Sequence, residues 1–145
     1  MPIYIDIDFT DIECLHECWN QNAEYHRNKS EFFREVSSNV LFQDRIEAWK
    51  NRSKIKITNI ELESELIGYC ISSINDNCGY IESIFIKESK RGKGFGRNVI
   101  NKHIEWMKSD ECERINVATV YGNEDAICFY KKLNIFPKKI IFELK

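Results

Sequence analysis

The stretch KESKRGKGFGR, residues 87–97, sets three alternating glycines inside the most basic part of the chain. Five Lys or Arg stand there against one Glu, a local net charge of +4. These residue types hold anions. Glycine lets a phosphate reach the main chain with no Cβ in the way, and a helix start offers unpaired N–H groups at the positive end of its dipole. Arg91, Lys93 and Arg97 add side-chain charge, so a diphosphate is the natural occupant. Two other phosphate motifs fit badly. A Walker loop needs Gly-Lys-Ser/Thr, whereas Gly92-Lys93 is followed by Gly94. A dinucleotide fingerprint needs Gly-x-Gly-x-x-Gly near the first strand of a βαβ unit, and this run is Gly-x-Gly-x-Gly in mid-chain.

The surrounding pattern says which elements must position that loop. Period-two alternation predicts a strand over residues 2–8, and Thr10 and Asp11 can cap a helix running to about His26. Ile12, Leu15, Trp19 and Ala23 form an apolar stripe on that helix, with His16 and His26 on the same arc. Residues 30–51 read as helical in pieces and of irregular phase, a mobile or ligand-shaping region. Strands over 54–60, 65–74 and 80–87 with short turns predict an antiparallel meander that ends at the glycine run. A helix over 94–108, a strand over 114–120, a helix over 123–133 and a last strand over 139–144 complete the order. Strands and helices in this sequence predict a mixed sheet covered by helices in one domain, residues 1–145.

The pattern Arg91-x-x-Gly94-x-Gly96 on strand, loop and helix resembles the coenzyme A pyrophosphate loop of the GNAT superfamily of N-acetyltransferases. YIESIFIKESKRGKGFGRNVI is similar to that family's central strand, loop and helix. NVATVYGNEDAICFYKKLNI is similar to its later strand and helix, with Asn123, Ala126, Phe129, Tyr130 and Leu133 in the family's spacing. The resemblance covers roughly residues 65–135. It implies an α+β fold with a central, mostly antiparallel, twisted sheet of about six or seven strands flanked by about four helices. One departure is Asn134-Ile135, where the family usually has Gly-Phe; Asn tolerates the left-handed cap conformation needed there. The chain after Leu133 is short, which shifts the expected shaping of the acceptor site to residues 20–53.

The resemblance also implies roles. Acetyl-CoA is the expected co-substrate, held by the main chain of Ile84, Phe85 and Ile86 and by Arg91, Gly92, Lys93, Gly94, Phe95, Gly96, Arg97 and Asn123. Tyr130 is the expected general acid toward the departing thiolate; on periodicity alone it would be core. Glu82, a carboxylate in an otherwise apolar strand, is the expected general base, directly or through water, since burial would raise its pKa. A cross-strand ion pair is the plain alternative for it. Tyr25 and His26, where the first helix ends, are expected to touch the acceptor, while His16 and His103 read as core.

Composition bounds the rest. The 145 residues are 43% hydrophobic and 30% charged, as in a soluble globular domain, with no run approaching the ~20 apolar residues of a membrane span. The acidic, alternating N-terminus does not look like a secretory signal, and the six scattered cysteines read as reduced thiols, so a cytoplasmic location is expected. Cys14, His16 and Cys18 lie close in sequence but lack further ligands at zinc-site spacing, so no metal is expected. An overall charge of −2 with one short basic patch argues against nucleic acid as a partner. Residues 1–50 carry a net −5, which favours a small cationic amine as acceptor. A homodimer belongs to the assemblies the resemblance implies. Two other functions stay open at this point: a module that holds coenzyme A or an acyl-CoA without catalysis, and a protein N-terminal or lysine acetyltransferase.

Overall fold

The computed structural model describes residues 1–33 and 41–145. Five strands, β1 (Ile3–Ile7), β2 (Lys54–Leu62), β3 (Glu65–Asn75), β4 (Cys78–Ile86) and β5 (Arg114–Val117), form one sheet in sequence order. The first four are antiparallel neighbours, and β5 lies parallel to β4. The hairpins close tightly because Glu63-Ser64 and Asp76-Asn77 both adopt positive φ, the conformation of a two-residue primed turn. β3 is buried continuously from Ile67 to Ile74, as expected of a strand covered on both faces.

One face carries a 3₁₀ turn (Phe9–Leu15), α1 (His16–Lys29) and α2 (Phe42–Lys50), packed through Leu15, Trp19, Phe42 and Trp49 against Ile57, Tyr69, Ile71 and Phe85. The other carries α3 (Phe95–Ser109) and α4 (Glu124–Lys131), packed through Val99, Ile100, Met107 and Tyr130 against Ile60, Ile67, Cys70 and Ile81. This is the mixed α+β fold expected from the sequence, with fewer strands. The expected strand over 139–144 is absent from the sheet. Residues 136–145 pair with no strand, and Phe136, Ile140, Ile141, Phe142 and Leu144 are exposed. β5 therefore forms the sheet edge.

Two local expectations change. The first helix begins as a 3₁₀ segment whose N-cap is Asp8, not Thr10 or Asp11; Asp8 accepts from the Thr10 N–H at 2.9 Å. That segment turns every three residues instead of every 3.6 and advances the phase. His16 leaves the core accordingly: it is half-exposed, bonds Glu13 and stacks on Phe42. Part of the region 30–51 lies outside the described residues, and the rest supplies α2.

His103 is core, as expected, and is fully buried in a chain of hydrogen bonds beneath α3. Asp6 can only accept, so the Thr58 hydroxyl donates to it at 2.6 Å. Thr58 Oγ1 then accepts from His103 Nε2 at 2.8 Å, and Ser72 donates to Nδ1 at 2.7 Å. Burial, with help from Lys56, drives the imidazole pKa down to about 3. Unfolding lets it return to its ordinary value, so between about pH 3 and 6.5 the unfolded chain binds the extra proton. Stability therefore falls as pH drops below 6.5, by up to about 1.4 kcal/mol per pH unit from this group. Urea midpoints measured from pH 7 to 4 are expected to decline, and His103→Gln, which does not titrate, is expected to flatten the slope.

Candidate active site

A cavity of about 520 Å³ opens where β4 outruns β5. The parallel pairing stops at Ile81 and Val117, while β4 continues to Ile86 with β3 on its other side. The register passes from Ile71↔Ser83 to Ser72↔Ile81, which leaves Glu82 as the extra residue of a bulge. Bulges increase twist and bend the strand. Ile84, Phe85 and Ile86 thus line the cavity beyond the end of the β4–β5 pairing, with no strand on that side among the described residues.

The glycine run forms the second wall. Gly94 is the N-cap of α3 at φ +86, in the left-handed region, and the first intrahelical bond there is Asn98 N–H to Gly94 C=O at 3.0 Å. The preceding N–H groups have no helical partner, and no acidic residue stands in the first turn. A Cβ built on Gly92 or Gly94 would meet nothing within 4 Å, so both glycines serve the backbone conformation and leave open space before it. Lys90, Arg91, Arg97 and Lys132 line the same region. An uncapped helix start ringed by cations fits a diphosphate such as that of coenzyme A. Arg91 donates from Nε to Ile86 C=O at 2.7 Å, its guanidinium 4.8 Å from the Tyr25 ring centre and 5.4 Å from that of Phe85.

α4 supplies the third wall. Asn123 is buried and caps it, accepting from Ala126 N–H at 3.2 Å and donating to Thr119 Oγ1 at 3.3 Å. Tyr130 lies a turn beyond Ala126, largely buried, with its ring edge-on to Phe129 at 5.3 Å. Among the described residues its hydroxyl has no hydrogen-bond partner. Burial pushes its pKa above the ordinary phenol value, with Cys70 contributing. The helix ends as expected for Asn134, which takes φ +63 while Ile135 N–H bonds Tyr130 C=O at 3.0 Å.

The end of α1 closes the cavity. Gly122, at φ +106, lies so near the Lys29 carbonyl that a Cβ there would stand 2.4 Å from its oxygen. Phe32 stacks on Tyr121, and Tyr25 and Lys29 reach Asp125 at 3.4 Å each. Tyr25 and His26 line the cavity. Burial, then Arg91, lowers the His26 pKa below its ordinary value, so the imidazole is neutral near pH 7.

Two expected site residues stand apart. Lys93 is exposed and does not line the cavity. Neither does Glu82, whose carboxylate accepts from Arg52 Nε at 2.9 Å and Ser73 Oγ at 2.6 Å. Conversely, Asn22, Lys90, Asp125 and Lys132 line it without having been expected. Asn22 had a signal: it is a polar residue on the buried stripe of α1, one turn before His26.

Comparison with known proteins agrees with this geometry. Over 65 residues the chain is 34% identical to YobR, an uncharacterized N-acetyltransferase of Bacillus subtilis. That match takes in 45% of this chain and about a quarter, 26%, of the relative. Among solved structures, a tetramutant of the BH1408 protein from Bacillus halodurans superposes with a TM-score of 0.79 at 20% identity over 99% of both chains. The PaiA N-acetyltransferase from Thermoplasma acidophilum, solved with coenzyme A, gives 0.71 at 18% identity over 92% of this chain and 88% of its own. The model of the acetyltransferase (GNAT) family matches residues 15–135, most of the sequence and every wall of the cavity, and the chain belongs to that family.

Proposed function

We propose that this chain is an acetyl-CoA-dependent N-acetyltransferase acting on a primary amine of a small, cationic acceptor, by direct attack within a ternary complex. The observation that carries it is the meeting of three features in one cavity: a helix start with no side-chain cap and with cations in the same lining, the stretch of β4 that runs past the end of β5, and the Tyr130 phenol. Bound acetyl-CoA would supply the acetyl thioester and the thiolate leaving group. The N-terminal backbone of α3, with Arg91 and Arg97, would hold the diphosphate, and the main chain of residues 84–86 would pair with the amide-bearing arm, as an added strand pairs with a sheet edge. Donors fixed in that way are worth a few kcal/mol where negative charge develops on a carbonyl oxygen.

Tyr130 holds a proton at neutral pH and gives it to the departing sulfur. The burial that raises the phenol pKa also raises the proton affinity of a thiolate beside it, which keeps the transfer feasible. His26, neutral and in the cavity wall, would accept the proton of the amine. Glu82, tied to Arg52 and Ser73, would act as a base only through water. The acidic N-terminal third and Asp125 at the cavity support a cationic acceptor. Acetyl-CoA consumption across amines, amino acids, aminoglycosides and peptide N-termini, with mass spectrometry of products, tests the proposal. Tight coenzyme A binding with no acetylated product from any class would sink it and leave a non-catalytic holder of coenzyme A.

We also propose a homodimer in which residues 136–145 of each copy cover the open β5 edge of the other. The five exposed apolar side chains of that segment, taken from two copies, offer area on the order of a standard interface, about 800 Å² per partner. Light scattering is expected to give twice the 17.2 kDa chain mass; a monomer at micromolar concentration would refute the arrangement.

A further inference from the structure

We infer that Asn22 orients the acceptor amine, its carboxamide oxygen taking one N–H of the incoming nitrogen at the cavity wall beside β4. The inference rests on the acetyltransferase reading above and adds the residue that fixes the nucleophile. Asn22 sits on α1 among Leu15, Cys18 and Trp19, where an apolar side chain would pack, and only 7% of it is exposed. Its amide nitrogen donates to the Tyr69 hydroxyl at 3.2 Å and to Ser83 Oγ at 3.3 Å, and those two oxygens stand 2.8 Å apart.

Counting hydrogens fixes which way the amide points. The three contacts need three hydrogens. With nitrogen inward the amide supplies two and the Tyr69–Ser83 pair supplies one, so every contact is satisfied. With oxygen inward, the two hydroxyls supply only two, and one close oxygen pair is left without a proton. The oxygen of Asn22 therefore faces away from the strands. It makes no hydrogen bond among the described residues, yet it is not sealed from solvent, unlike Asn59 Oδ1. Asn22 lines the cavity, and the inference places its free oxygen there.

Its position suits an acceptor nitrogen. Ser83, which anchors the amide, immediately precedes Ile84 at the unpaired part of β4, and His26 lies one turn further along the same helix wall. A carboxamide oxygen accepts an N–H but takes up no proton at neutral pH. A neutral primary amine can give one N–H to Asn22 and still present its lone pair to the carbonyl carbon; the second N–H leaves as a proton after the C–N bond forms. An alcohol has a single O–H, which cannot both bind Asn22 and be surrendered to a base. The arrangement thus selects amines over alcohols and excludes tertiary amines.

The test uses the full chain saturated with coenzyme A and three probe amines: putrescine, n-butylamine and glycinamide. Calorimetry reads amine binding, and turnover with acetyl-CoA is measured in parallel. Asn22→Ala is expected to weaken binding of the amine and raise its KM about tenfold or more, while the coenzyme A dissociation constant stays within about twofold. Ser83→Ala, which removes one anchor of the amide, is expected to raise the KM less than Asn22→Ala does. Asn22→Asp keeps the shape, and Tyr69 and Ser83 can each donate to it at the expense of the bond between them. Its carboxylate favours the ammonium form of the bound amine, so the rising limb of kcat against pH, which reports the enzyme–substrate complex, is expected to move to higher pH. An unchanged amine KM in the alanine variant together with an unshifted limb in Asn22→Asp would overturn the inference. So would absence of binding by all three amines to a protein that holds coenzyme A. Failure to bind coenzyme A at all would instead overturn the acetyltransferase reading.

Discussion

Tyr130→Phe is expected to lower kcat about 100-fold or more, within the usual range for losing a positioned general acid. The coenzyme A dissociation constant and the thermal midpoint should change little. The phenol has no hydrogen-bond partner among the described residues, so removing its oxygen orphans no protein group, and the ring remains packed in the layer beneath α3 and α4. A purely structural tyrosine would show the reverse: a stability change with intact turnover. Varying the acetyl donor sharpens the distinction. Acetyl thioesters with a more acidic leaving thiol should recover part of the lost rate in Tyr130→Phe, because that thiolate needs less protonation on departure.

The second large effect concerns cofactor affinity. Gly94→Asp is expected to weaken coenzyme A binding about 100-fold without unfolding the protein. Aspartate is among the better N-caps and tolerates left-handed φ more readily than most residues, so α3 should persist. A Cβ at Gly94 meets no neighbour within 4 Å, so the change adds no clash. What it adds is a negative charge at the helix start. At about 4 Å and an intermediate effective dielectric, two like charges repel by up to about 4 kcal/mol, and the capping carboxylate also occupies the N–H groups a phosphate would use. Titration calorimetry checks the affinity, and circular dichroism checks the helix. Unaltered affinity in a folded variant would remove the diphosphate from this loop.

The features legible in the sequence are those set by short-range chemistry. Asn123 as a cap, Asn134 in the left-handed region and the glycine run at a helix start follow from side chains acting on their own backbone. The meander was legible because its turns and alternation lie within adjacent segments. Glu82 was harder. Period-two counting assumes a regular ladder, and the bulge between Ile81 and Ser83 sends its carboxylate to Ser73 and Arg52, partners nine and thirty residues away. Asn22 was missed for the same reason, since its meaning comes from Tyr69 and Ser83, forty-seven and sixty-one residues along the chain. Residues 139–144 carry the alternation of a strand, but alternation names no partner, and the sheet stops at β5.

The central claim is that one cavity holds acetyl-CoA and the amine together and transfers the acetyl group directly. Initial velocities over a grid of acetyl-CoA and amine concentrations test it most directly. Double-reciprocal lines are expected to intersect, with no acetylated protein trapped when acetyl-CoA is supplied alone. Parallel lines with a stable acetyl-enzyme, or no turnover of any amine, would contradict it.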